Sequence, residues 1–173
     1  RNLTIIADAL RIIKSQGKTP PDMEHLDLKD KKTYQLLAAG DTSAVFQLES
    51  TGMKDLIIRL KPETFAEVTA LVALYRPGPM GSGMVDDYVE CKHGRREVQY
   101  LVPELEPILN PTNGVILYQE QVMKIASDLA SFSMAEADDL RKAMGKKIPA
   151  VMAKHLDRFV DGAVKNNIPK DKA

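Results

Sequence analysis

The chain is poor in several residue types, and each shortage removes a class of function. Its 173 residues hold a single cysteine, Cys91, so no disulfide can form within it and no all-cysteine metal site can be built. Three histidines, His25, His93 and His155, are scattered, and none stands with Cys91 or carboxylates at metal-ligand spacing. Tryptophan is absent and aromatics make up 5% of the chain. There is no net charge, with 24 Lys and Arg against 24 Asp and Glu, so no global field draws nucleic acid or membrane. No apolar run approaches the ~20 residues that span a bilayer. No basic segment followed by an apolar one opens the chain as a secretory signal would. These absences lead us to expect a cytoplasmic protein. Asp-x-Asp and Gly-x-Ser-x-Gly do not occur, and the adjacent pairs Asp86-Asp87 and Asp138-Asp139 point roughly 100° apart on a helix. No complete active site is legible. The chain begins at Arg1 rather than Met and closes on a polar run, so we expect a piece of something longer.

What is there reads as helix. Ile5, Ile6, Ala9, Leu10 and Ile13 keep helical spacing up to Gly17. Asp30 is placed to N-cap a short helix that stops at Gly40, and a further helix is expected over residues 51–60, before Pro62. Thr64 with Glu67 forms a capping box ahead of a helix that is apolar nearly all round through Ala70, Leu71, Val72 and Leu74. Pro77 and Pro79 end it, and residues 78–83 read as a tight connection. A helix over residues 83–93 closes at Gly94. The only strand candidates are residues 98–101 and 115–117, both short. Tyr118, Val122, Ile125 and Leu129 share one helical face. Ser133 with Glu136 is a second capping box, opening a helix with Met134, Ala137, Leu140 and Met144 inward and Gly145 at its end. Pro149 suits the first turn of a last helix with Met152, Leu156, Phe159 and Ala163 inside. The fold class is mainly α, with at most a small two-stranded β element.

The stretch that stands out gathers Arg141, Lys142, Lys146 and Lys147 around a helix end. Arginine offers a planar donor fork to phosphate oxygens and lysine a mobile charge. Two charge-assisted bonds of ~1.5–3 kcal/mol each supply about a hundredfold in affinity. The same spacing also describes surface pairing, since Asp138 lies three residues before Arg141 and four before Lys142. Cations near a helix C-terminus complement the macrodipole in any case. Residues 78–83 are glycine-rich, but Pro79 has no amide to offer and the Gly-Lys-Ser/Thr ending of a P-loop is missing. Arg76, beside that turn, is placed either to reach a ligand or to cap carbonyls. Residues 92–96, Lys-His-Gly-Arg-Arg, form a basic turn, a solvated loop or a contact for a nucleic acid backbone.

Four runs taken together, TSAVFQLESTGMKDLI (42–57), ALVALYRPGPMGSGMVDDYVECKHG (70–94), GVILYQEQVMKIA (114–126) and ADDLRKAMGKK (137–147), resemble the alpha subunit of bacterial DNA polymerase III, a C-family replicative polymerase. The resemblance extends over essentially the whole chain, in order. It implies a multi-helix fingers region, with residues 1–62 next to the palm and 63–173 forming the main part. It also implies that the catalytic aspartates and the Mg2+ they hold belong to the palm, outside this chain, so this piece alone is expected to be inactive and to bind no metal. By that resemblance Arg141 and Lys142 match the basic pair that meets the triphosphate of the incoming deoxynucleotide, with Lys146 and Lys147 nearby. The family often has arginine in both places, so Lys142 exchanges a fork for a point charge. Arg76, Tyr118 and Gln119 match runs facing the same region. The implied partners are primer-template DNA and deoxynucleoside triphosphates, with other replicase subunits attached elsewhere on the parent. The rival readings are a helical protein-interaction module, whose basic cluster is only surface, and a free-standing nucleic-acid-binding domain.

Overall fold

Local capping sets most of the element boundaries. In the computed structural model, which describes residues 2–146 and 149–173 (side chains of 149–151 excepted), α1 spans Asn2–Ser15 and ends before Gly17, whose φ of 74° only glycine adopts freely. Asp30 caps α2, Lys31–Ala38, by accepting from the amides of Lys32 and Thr33. Ser50 caps α3, Thr51–Leu60. The Thr64–Glu67 box opens α4, Phe65–Leu74, as its spacing foretells.

The proline-rich segment that follows is not a bare connection. Pro77 takes the first position of a one-turn helix, α5, Pro77–Gly81, where its missing amide costs nothing. Then comes α6, Met84–Lys92, closed by His93 and by Gly94 at φ 67°. Short 3-10 turns at Pro103–Leu105 and Asn110–Thr112 flank α7, Glu106–Leu109. The chain finishes with α8, Gln119–Ala130, α9, Met134–Lys146, and α10, Pro149–Lys165. The fold is mainly α, and among the described residues there is no strand.

The two strand candidates do not pair, because the hydrogen bonds of one of them go elsewhere. The Val115 carbonyl accepts from Thr112 Oγ1 at 2.7 Å, and the Leu117 amide donates to Gln121 Oε1 at 2.8 Å. Those groups are then unavailable to a ladder with residues 98–101. The segments still touch, for a Cβ at Gly114 would meet Val98 Cγ1 at 2.7 Å.

Buried side chains form two clusters. One unites Leu37, Leu48, Met53, Leu56, Ile57 and Leu60 with Ala70, Leu71, Leu74, Val85, Tyr88, Val89 and Val115. Thus α3 and α4, on either side of residue 62, share a core. The other joins Val102, Leu105, Ile108 and Leu109 to Ala126, Leu129 and Ala130 of α8, Phe132, Ala137 of α9 and Ala163 of α10.

Three expected inner-face residues lie outside. Met134, Met144 and Leu156 are exposed, because Ala137, Leu140 and Ala143 on α9, and His155, Phe159 and Gly162 on α10, take the covered positions. Gly162 lies against the Ala130 carbonyl with no room for a Cβ, which brings α10 directly onto α8. None of the apolar side chains of α1 is buried, with Leu3, Ile5 and Ile12 more than half exposed. Among the described residues no helix is long and apolar enough to cross a membrane.

Candidate functional site

The α8–α9 hairpin brings Arg141, Lys142 and Gln119 to one place. Ser133 and Glu136 cap α9 reciprocally, Glu136 N donating to Ser133 Oγ at 3.3 Å and Ser133 N to Glu136 Oε2 at 2.8 Å. The helix does not stop at Gly145 but continues through it to Lys146, so Lys146 sits in the last turn rather than beyond it. Glycine at the penultimate position tolerates helical dihedrals, so the helix end expected at Gly145 does not fall there.

On this helix Asp138 binds both cations. Arg141 Nε and Nη2 donate to Asp138 Oδ1 at 2.9 and 2.7 Å, and Lys142 Nζ lies 2.6 Å from Asp138 Oδ2. The two bonds hold the Asp138 carboxyl below its ordinary range, Lys142 contributing most, and the Lys142 ammonium is raised by the same pairing. The i,i+3 and i,i+4 pairing that the spacing allowed is therefore present. It does not exhaust the donors. Arg141 Nη1 bonds Gln119 Oε1 at 3.0 Å, so three of the five guanidinium N–H groups are engaged among the described residues. One N–H on each terminal nitrogen remains, together with two on Lys142. A phosphate suits that remaining set.

Gln119 is the first residue of α8, and Tyr118 is its N-cap. The Gln119 side chain thus ties the first turn of this 12-residue helix to the Arg141 guanidinium. Tyr118 is half-buried, and burial raises its phenol. Arg76 is exposed at the N-cap of α5, with no side-chain capping bond. Among the described residues no hydrogen bond or ion pair links it to the α8–α9 cations. Lys146 is exposed, and Lys147 lies outside the described residues.

The basic turn at 92–96 is bound internally. Lys92, with its side chain 8% exposed, donates to the Lys61 carbonyl at 2.9 Å and pairs with Glu67 at 3.2 Å. His93 Nε2 bonds the Arg59 carbonyl at 2.9 Å; a carbonyl only accepts, so that nitrogen carries the proton. Arg95 grips Glu90 through two bonds, lowering the glutamate, and Arg96 pairs with Asp87. Burial raises the Cys91 thiol above its ordinary value. No group of three His, Cys, Asp or Glu capable of holding a metal occurs among the described residues. This donor set does not fit a magnesium site.

A family model for the finger domain of the bacterial DNA polymerase III alpha subunit matches residues 2–167. The chain belongs to this family. The DNA polymerase III subunit alpha of Pseudomonas aeruginosa is 50% identical to this finger domain over 182 residues, taking in 100% of the chain and 16% of that protein. That of Escherichia coli K12 is 51% identical over 177 residues, 97% of the chain and 15% of the protein. The Aquifex aeolicus subunit is 48% identical over 172 residues, with shares of 99% and 15%. The finger domain therefore spans about a sixth of the length of the relatives it matches.

Two buried polar residues beneath the hairpin, Gln121 and Thr112, were not singled out by sequence reasoning. The glutamine occupies the third position of α8, as in a capping box, but Tyr118 in place of Ser or Thr hides the signature. Arg158 is a second omission. It lies over the Phe132 ring at 4.7 Å and donates to the Ala130 and Ser131 carbonyls, closing the C-terminus of α8.

Proposed function

We propose that this finger domain works within a DNA-directed DNA polymerase of bacterial chromosome replication, in the cytoplasm, and that it orients the triphosphate of the incoming deoxynucleotide. The observation that carries the reading is the Arg141–Asp138–Lys142 cluster at the mouth of α8. Its remaining N–H groups match phosphate oxygens. Lys146 and Arg76 contribute charge at longer range, and Lys147 does so by sequence position. Tyr118 and Gln119 wall the site. Primer-template DNA and the other replicase subunits engage the parent protein, the latter through parts outside this chain. Magnesium supplies charge neutralisation to polymerases of this kind, on residues the chain does not include, so the isolated chain extends no primer.

What the finger domain contributes on this reading is electrostatic stabilisation and orientation of the leaving phosphates. The pairing of Arg95 with Glu90 and of Arg96 with Asp87 lowers the net charge that residues 92–96 offer a nucleic acid backbone. Arg141→Ala in the full-length alpha subunit tests the assignment. Nucleotide kcat/KM falls roughly tenfold or more, what one lost charge-assisted bond is worth, while thermal unfolding is unchanged. Wild-type nucleotide kinetics in that variant would remove Arg141 from the site.

A further inference from the structure

Gln121 is 8% exposed and Thr112 2%, and the two are bonded to each other beneath the start of α8. Every polar group of the glutamine amide has a partner. Its Oε1 accepts from the amides of Leu117 and Tyr118, both at 2.8 Å. Its Nε2 donates to the Ile108 carbonyl at 3.2 Å and to Thr112 Oγ1 at 2.7 Å. The partners fix which end of the amide is oxygen, since two amides face one end and a carbonyl the other. Thr112 Oγ1 passes the chain on to the Val115 carbonyl at 2.7 Å, with the Leu109 carbonyl at 3.2 Å. Residues 115–118 are thus pinned from below at both ends, which decides where α8 begins.

The first residue of α8 is Gln119, and its Oε1 accepts from Arg141 Nη1. The other bonds of Arg141 go to Asp138, on its own helix. Among the described residues the Gln119 bond is the one that sets the guanidinium from a different element. A shift of the α8 start moves that acceptor and lets the guanidinium swing about its Asp138 contact.

We infer that Thr112 and Gln121 are positioning residues for Arg141, acting through the Tyr118-Gln119 turn without touching the nucleotide. The inference rests on the triphosphate role proposed for Arg141. A filler serving the core alone would do as well apolar, whereas here a buried amide spends its oxygen on the two backbone amides that precede the helix.

The test is a mutant cycle in the full-length alpha subunit: Thr112→Val, Thr112→Ser, Arg141→Ala and the Thr112→Val/Arg141→Ala double variant. Nucleotide KM and kcat are measured on a primed template, together with primer-template affinity and thermal unfolding. Thr112→Val raises nucleotide KM about fivefold with DNA affinity unchanged, Thr112→Ser restores it, and in the Arg141→Ala background the valine adds less than about twofold. A wild-type KM for Thr112→Val, or the same fivefold cost with Arg141 already removed, overturns the inference while leaving the role of Arg141 intact. An Arg141→Ala subunit with wild-type nucleotide kinetics sinks the triphosphate reading and this inference with it. Should the valine variant not fold, Gln121→Asn, which withdraws the amide from the Leu117 and Tyr118 backbone while keeping its polarity, takes its place. It must show the same non-additivity with Arg141→Ala, and independent effects of the two would overturn the inference.

Discussion

Single side chains in this finger domain do more than their exposure in a linear reading suggests. Lys92 belongs to a basic run that resembles a solvated loop, yet its ammonium is seated on the carbonyl of Lys61, the C-cap of α3, and on Glu67, the capping carboxylate of α4. Removing it leaves an acceptor and a carboxylate without their donor. Lys92→Met therefore costs about 1–3 kcal/mol, read as a lower urea midpoint with an unchanged slope. A variant as stable as the parent would mean that solvent replaces the ammonium freely. What hid Lys92 is sequence distance: its partner at Lys61 lies 31 residues away, as Arg158 lies 28 from Ala130. The Asp138 pairing was legible because three and four residues on a helix are neighbours wherever the helix goes.

Elements follow the same rule. The starts of α2, α4 and α9 could be read because each is decided by a cap within three residues of the first turn. Ser133→Ala removes the acceptor of the Glu136 amide and destabilises the domain by ~1 kcal/mol, measurable as a drop in melting temperature. An unchanged melt would show that the Glu136 carboxylate holds the turn unaided. The burial of faces was less legible. Helical periodicity assigns Met134, Met144 and Leu156 to the apolar stripe, but whether a stripe is covered depends on how far the neighbouring helix extends along it. At α9 the cover reaches Ala137, Leu140 and Ala143 and no further. Likewise the 115–117 segment has strand composition, and only the tertiary bonds of Thr112 and Gln121 reveal that it cannot pair.

At the scale of the whole molecule, the mainly α class was evident from spacing, while the partition into two hydrophobic clusters was not. Neither cluster corresponds to one run of sequence, since Val102 belongs to one and Val115 to the other. Charge gives the molecule its pH response. Asp30, Glu90, Glu136 and Asp138 are all held below their ordinary values by hydrogen bonds, to Thr33, Arg95, Ser133 and Lys142 first. Each stabilises the fold above its unfolded value, about 3.9 for Asp and 4.3 for Glu, and that contribution is lost as pH falls through the lower folded value. Buried Tyr88, pushed up to about 12, works in the opposite direction: its contribution is intact below about 10 and is lost as pH rises toward its folded value. Melting temperatures of the isolated chain are expected to hold level near neutrality and to fall below about pH 4 and above about pH 10. A melting temperature flat through the acid range would show that those bonds are equally formed in the unfolded chain.

On the role proposed for Arg141, the Asp138 clamp has a consequence for turnover. Arginine and lysine side chains are long, and capturing an anion with free ones would require ordering each of them at that moment. Here both already bond Asp138, so a phosphate arriving at Arg141 and Lys142 meets groups with less freedom to lose. The same carboxylate, bonded to both, offsets one of their charges. On the proposed role, that arrangement hastens the departure of pyrophosphate, and a polymerase must release pyrophosphate after every nucleotide it adds.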